Sequence, residues 1–190
     1  MIVERKTQKA VLGTVVLLFS LWMVNHTRAQ GKSNSSSAAG APPATYISNA
    51  DLQAALKRQV PGPDRQVRVV NVNGEYNLAV GIVRRAKASA GPKGGVAHNE
   101  VAEVYHIIEG SGTLLTGGTI KDVQRTDDPG QPNGPGTHGS QVLNGTSQKV
   151  GPGDVVIIPA NTPHVFTEIT TDEIVYVVIR PDPHKVLPLM

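Results

Sequence analysis

The sequence predicts an all-β fold, a barrel or sandwich of short strands preceded by one short N-terminal helix. Three observations predict it. From residue 66 onward, segments rich in Val, Ile and Thr recur, and clusters of Gly, Pro, Asn and Asp separate them. The chain holds 20 Gly and 14 Pro, enough for frequent turns, with no collagen-like period. Between the strands there is no helical period of roughly 10–15 residues, as an alternating α/β sheet would require.

At 190 residues, 39% hydrophobic and 17% charged, the composition is that of one modest globular domain. Cysteine is absent. This excludes a disulfide framework, a thiolate metal site and a cysteine nucleophile, and leaves any metal to nitrogen and oxygen ligands. The formal charge of +3 sits in residues 1–29, where Arg5, Lys6, Lys9 and Arg28 stand against Glu4. The remainder is balanced and offers no basic stripe for nucleic acid.

Those first residues read as an export segment. A basic flank precedes the 15-residue apolar run Ala10–Val24, and Thr27 and Ala29 supply small residues for cleavage after Ala29. The run is shorter than the roughly 20 residues of a comfortable membrane span, so residues 1–29 are expected to be a signal peptide or, if retained, an N-terminal anchor. Either outcome places the domain outside the cytoplasm, in the periplasm or beyond the cell. Residues 30–45 follow as a tether, since Gly31–Ala44 carries no bulky apolar side chain to offset the entropy of ordering. The domain proper is expected over 46–190.

Its first element is the helix. Ser48 is a candidate N-cap with Asp51 three residues on, Ile47 and Leu52 form a staple pair, and Pro61 stops the turn. Leu52, Ala55 and Leu56 make one apolar face, suited to covering a sheet. Strands are then expected at 66–72, 76–85, 101–109, 113–120, 154–159, 164–169 and 173–180. Hydrophobic density falls over 118–150, which predicts a long loop, either a lid or an idle insertion. Gly153–Pro159 makes a strand ended by proline, and Asn161-Thr162-Pro163 turns the chain so that His164 opens the next strand as an antiparallel neighbour.

Ionisable residues on these strands carry the chemistry. His98 and Glu103 bracket the start of one strand. Strand alternation puts Glu103, Tyr105 and Ile107 on one face and Val104, His106 and Ile108 on the other. A carboxylate among Ile and Val must find a cation, a strong donor or a proton, and a metal shared with neutral imidazoles is one solution. Tyr105 is expected to point inward, its hydroxyl orienting a substrate or its ring filling the barrel. Phe166 stands in the same relation to His164. His106 is expected outward, His138 in solvent on the loop, and His184 in the tail. Arg84 and Arg85 read as a solvated strand end rather than a carboxylate clamp.

The stretch Gly94–Gly110, with His98, four residues, Glu103, six residues and Gly110, resembles the first motif of the cupin superfamily, and Gly153-x5-Pro159-x4-His164 resembles the second. The resemblance covers residues 66–180. It implies a double-stranded β-helix, a jelly-roll barrel, with a divalent metal inside. Three departures stand out: Val96 occupies the place of the first His, Asn161 a place where Gly is usual, and Glu168 a place where Asn is common.

The ligands that remain are His98, Glu103 and His164, a set able to hold Fe, Mn, Ni, Cu or Zn. The resemblance thus implies a metal-dependent dioxygenase or isomerase of a small oxygenated molecule, with Glu103 as ligand and proton carrier and Tyr105 beside it. The other reading is a non-catalytic cupin that binds a sugar or an aromatic acid, its metal structural or absent. Analogy with the family further implies pairing of two copies through an exposed sheet.

Overall fold

Helix α1 (Asn49–Leu56) opens the fold as the sequence predicts. Ser48 Oγ accepts from the Asp51 amide at 3.1 Å, and Asp51 Oδ2 accepts from the Ser48 amide at 2.9 Å, so two otherwise orphaned donors are satisfied reciprocally. The helix lays Ala55, Leu52 and Leu56 over Ile82 and Val175, on the outer face of a sheet. In this computed structural model the described residues are 42–60, 62–91, 94–127 and 133–190. The expected export segment and most of the tether lie outside them.

The strands are β1 (Asp64–Val72), β2 (Tyr76–Ala86), β3 (Val96–His98), β4 (Glu103–Glu109), β5 (Gly112–Thr116), β6 (Thr119–Lys121), β7 (Gln124–Thr126), β8 (Gly136–His138), β9 (Gln141–Leu143), β10 (Thr146–Val150), β11 (Val155–Ile158), β12 (His164–Ile169) and β13 (Glu173–Asp182). One sheet has the order β1-β2-β13-β4-β11, a second β10-β5-β12-β3-β8-β7, and β6 pairs with β9. All pairings are antiparallel. Inward side chains of the first sheet (Val83, Ile107, Tyr176) meet those of the second (Leu114, Phe166, Ile169) in one apolar core. This is the two-sheeted jelly roll, with alternation as its organising period. No helix of the described residues is long and apolar enough to cross a membrane.

The structure corrects two expectations. The stretch 118–150 is not one unbroken loop: about half of it is taken up by β6 to β10. These strands are three to five residues long and mostly polar on both faces, so they lack the apolar alternation that marks a strand in sequence. Nor are β11 and β12 neighbours. β11 pairs with β4 in one sheet, β12 with β5 and β3 in the other, and the turn between them carries the chain across the barrel. Asn161 makes that turn at φ 63°, a left-handed conformation that Asn tolerates better than most residues, and its amide is tied to the His98 carbonyl at 2.7 Å.

Candidate metal centre

His98 ends β3 and His164 opens β12. These strands adjoin, with His164 opposite Val96, and the two imidazole rings lie 5.4 Å apart between centroids. Glu103 opens β4 on the facing sheet, so His98 and Glu103 bracket a passage between sheets, not the start of one strand. Its Oε1 is 3.6 Å from His98 Nε2 and its Oε2 is 3.4 Å from His164 Nε2. One donor atom from each of the three lies within 4.8 Å of the others. The three residues that the sequence singles out as ligands therefore converge in one cavity of about 390 Å³.

Alternation decides which side chains enter it. Glu103, Tyr105 and Ile107 are buried while His106 between them is exposed, as parity requires. Val96, at the place of the missing histidine, lines the cavity wall beside His98 and His164. Gly110 closes the first motif at φ 75°, where a side chain would run into the Glu173 carbonyl oxygen.

A buried ion pair dominates the electrostatics. Arg180 of β13, 1% exposed, donates from Nε to Glu103 Oε1 at 2.8 Å. Its terminal nitrogens reach Asp64 and Gln66. Tyr105 donates its hydroxyl to Glu103 Oε2 at 2.8 Å. Burial opposes ionisation of Glu103, but His164 and the Arg180 charge outweigh it and hold the carboxyl well below the usual carboxylate range. Burial pushes the His98 imidazole down to about 4, against the opposite pull of Glu103.

This donor set fits a divalent metal. His98 is neutral above that pH, as a ligand must be. His164 Nδ1 lies 3.0 Å from the Thr162 carbonyl, which can only accept, so Nδ1 carries hydrogen and a neutral ring turns its Nε2 lone pair towards Glu103 Oε2. Nε2 meets the carboxylate either with a proton to donate or with a bare lone pair open to a metal. A proton or a metal cation is needed between them.

The remaining predicted residues divide. Tyr105 points inward as expected, yet its hydroxyl is engaged by Glu103 and its ring packs 4.4 Å from that of Tyr176. Phe166 walls an adjoining part of the interior. His138 is exposed on β8, with Nδ1 3.1 Å from Thr126 Oγ1, and does not join the triad. His184 is exposed beside Glu100. Arg84 is a solvated strand residue, 3.4 Å from Glu173. Arg85 is not: it lies on the inward parity of Val83, lines the cavity and donates from Nε to the Tyr176 hydroxyl at 3.0 Å.

Sequence reasoning missed Arg180, Asp64 and Tyr176 as well. The signal was present in β13, where Ile174, Tyr176, Val178 and Arg180 share one buried parity. An arginine ending an apolar face is the counterpart of a glutamate opening one.

No family model matches the chain, and no curated protein matches it closely enough to count as a relative. Among solved structures, it is similar to a cupin protein from Bacteroides fragilis at 14% identity over 60% of this chain and 72% of that one, with a TM-score of 0.36. A protein from Bacillus halodurans is similar at 15% identity, over 77% of this chain and 89% of that one, with a TM-score of 0.42. The polyketide cyclase RemF from Streptomyces resistomycificus is similar at 16% identity, over 73% and 80%, with a TM-score of 0.40. Fold and site stand here on strand order and side-chain geometry. On those grounds the domain is a two-sheeted jelly-roll barrel in which the two stretches that resemble cupin motifs meet at His98, Glu103 and His164.

Proposed function

We propose that the domain is an exported cupin-type protein that holds a divalent metal through His98, Glu103 and His164 and acts on a small oxygenated molecule, as a dioxygenase or an isomerase. The observation that supports this best is the meeting of Glu103 Oε2 with an imidazole nitrogen whose ring hydrogen is committed elsewhere. A bound metal would supply Lewis-acid or one-electron chemistry at the positions that three protein ligands leave open. The chain's own residues prepare that site. Arg180 and Tyr105 keep Glu103 ionised and fixed, the Thr162 carbonyl sets the His164 ring, and burial keeps His98 uncharged. So acidic a carboxyl takes up protons poorly, which makes Glu103 a ligand rather than a proton carrier in this reading.

A second reading rests on the Arg180 contact. At 2.8 Å from Glu103, Arg180 already supplies a positive counter-charge, which favours a metal-free cavity that only binds a sugar or an aromatic acid. Elemental analysis separates the two. Purified wild type, chelated and reloaded with Fe(II), Mn(II) or Zn(II), is expected to retain close to one equivalent and to lose it in His98→Ala and His164→Ala. Retention below about a tenth of an equivalent for every metal would leave only the second reading.

A further inference from the structure

We infer that Arg85 is a carboxylate-recognition residue, and that the ligand of this cavity is a small organic acid held by its carboxylate on the Arg85 guanidinium. The two arginines of the interior are used differently. Arg180 is fully committed, to Glu103, Asp64 and Gln66. Among the described residues Arg85 has one hydrogen-bond partner, the uncharged Tyr176 hydroxyl, and no carboxylate forms an ion pair with it. Arg180 holds Glu103 and one oxygen of Asp64, Oδ2; the other, Oδ1, is buried with no hydrogen-bond partner among the described residues, and Asp64 acts on Arg85 through its charge alone, without an ion-pair contact.

The hydrogen bond through Nε fixes the plane of the Arg85 guanidinium, and its two terminal nitrogens have no acceptor among the described residues. Two parallel N–H donors from one planar group are matched by the two oxygens of a carboxylate. Solvent-exposed arginines need no such partner, but this one turns away from Arg84, which has solvent and Glu173, into the cavity that also holds the triad. Arg85 is half-buried, so its guanidinium is only partly withdrawn from water, and the partial loss of hydration is one that a ligand's carboxylate would offset. The cavity, about 390 Å³, lies at the lower end of the range for small-molecule sites, roughly 300–1,000 Å³, and limits the acid to a small one.

This deepens the proposal above and rests on it for one point, that the cavity holding Arg85 is the working site. The charges of Arg85, Arg180, Asp64 and Glu103 cancel, so a divalent metal would add an excess of positive charge that an anionic ligand reduces.

Calorimetric titration tests it without any assumed reaction. Chelated wild-type protein is titrated with acetate, lactate and benzoate, with the corresponding neutral amides, and with inorganic phosphate; the series is repeated with Mn(II) present. At least one carboxylate is expected to bind more tightly than its amide by about tenfold or more, the measure of a charge-assisted pair. Arg85→Gln should remove that preference, and Arg85→Lys, which keeps the charge but not the fork, should retain part of it. The inference is overturned if no carboxylate outbinds its amide in wild type, if Arg85→Gln binds as wild type does, or if phosphate binds as tightly as the best carboxylate. The wild-type acid-to-amide comparison needs no variant to fold. A carboxylate preference in protein that retains no metal would sink the metal reading and leave this one standing.

Discussion

Arg180 and Glu103 stand 77 positions apart and meet at 2.8 Å, with almost none of either side chain in contact with solvent. The carboxylate that a metal would need is thus neutralised from behind by a residue on the central strand of its own sheet. Replacing Arg180 by Met should leave Glu103 buried without its counter-charge and Asp64 half-buried without its partner, at a cost of about 3–5 kcal/mol. Urea denaturation measures it, and adding Glu103→Gln to the same chain should recover part of the loss. A cost under about 1 kcal/mol would mean that water reaches the pair.

Chelated protein should lose stability in mild acid through His98. Its folded value of about 4 lies below the ordinary 6.5, so between these pH values the unfolded chain binds more protons than the folded one. Stability then rises with pH across this window and falls as pH is lowered through it, by about 3 kcal/mol in all. Glu103, also held below its ordinary value, adds a further loss at lower pH. Urea midpoints followed over this range should decline less steeply in His98→Gln. Equal slopes in the two proteins would contradict the assignment.

Tyr105→Phe keeps the ring packed on Tyr176 and removes only the hydroxyl that Glu103 accepts from. Loss of a buried hydrogen bond to a charged group predicts a drop of about 2 kcal/mol, read by thermal or urea unfolding. A change within about 0.5 kcal/mol would show that a water takes the place of the hydroxyl.

Gly110→Ala should destabilise by more than about 1 kcal/mol, because the position has φ 75° and the new methyl group meets the Glu173 carbonyl. Neighbouring Ser111→Ala serves as the comparison: it leaves the backbone that accepts from Thr170 in place. Similar midpoints for the two variants would refute the steric account.

Much of this site was legible because strand parity is a strict period. The inward setting of Glu103 and Tyr105, the outward setting of His106, and the capping box of Ser48 and Asp51 all follow from spacing alone. What stayed hidden did so for physical reasons. β7 to β10 hold their places by backbone pairing and carry little apolar pattern. The turn at Asn161 has the same residues whether the chain folds back on its own sheet or passes to the other. Arg85 and Arg180 come at the ends of apolar runs, where an arginine ordinarily meets water. Parity places both inside, and only the facing sheet reveals what they meet.

The passage from β11 to β12 has a kinetic consequence. Two of the gathered donors arrive from one layer and the third from the opposite layer, and no local hairpin contains all three. An intermediate that had completed either layer alone would have no coordination pocket. Uptake of an ion during refolding should therefore coincide with the last, slowest docking event, which makes such uptake a clock for closure of the molecule rather than an early scaffold for it.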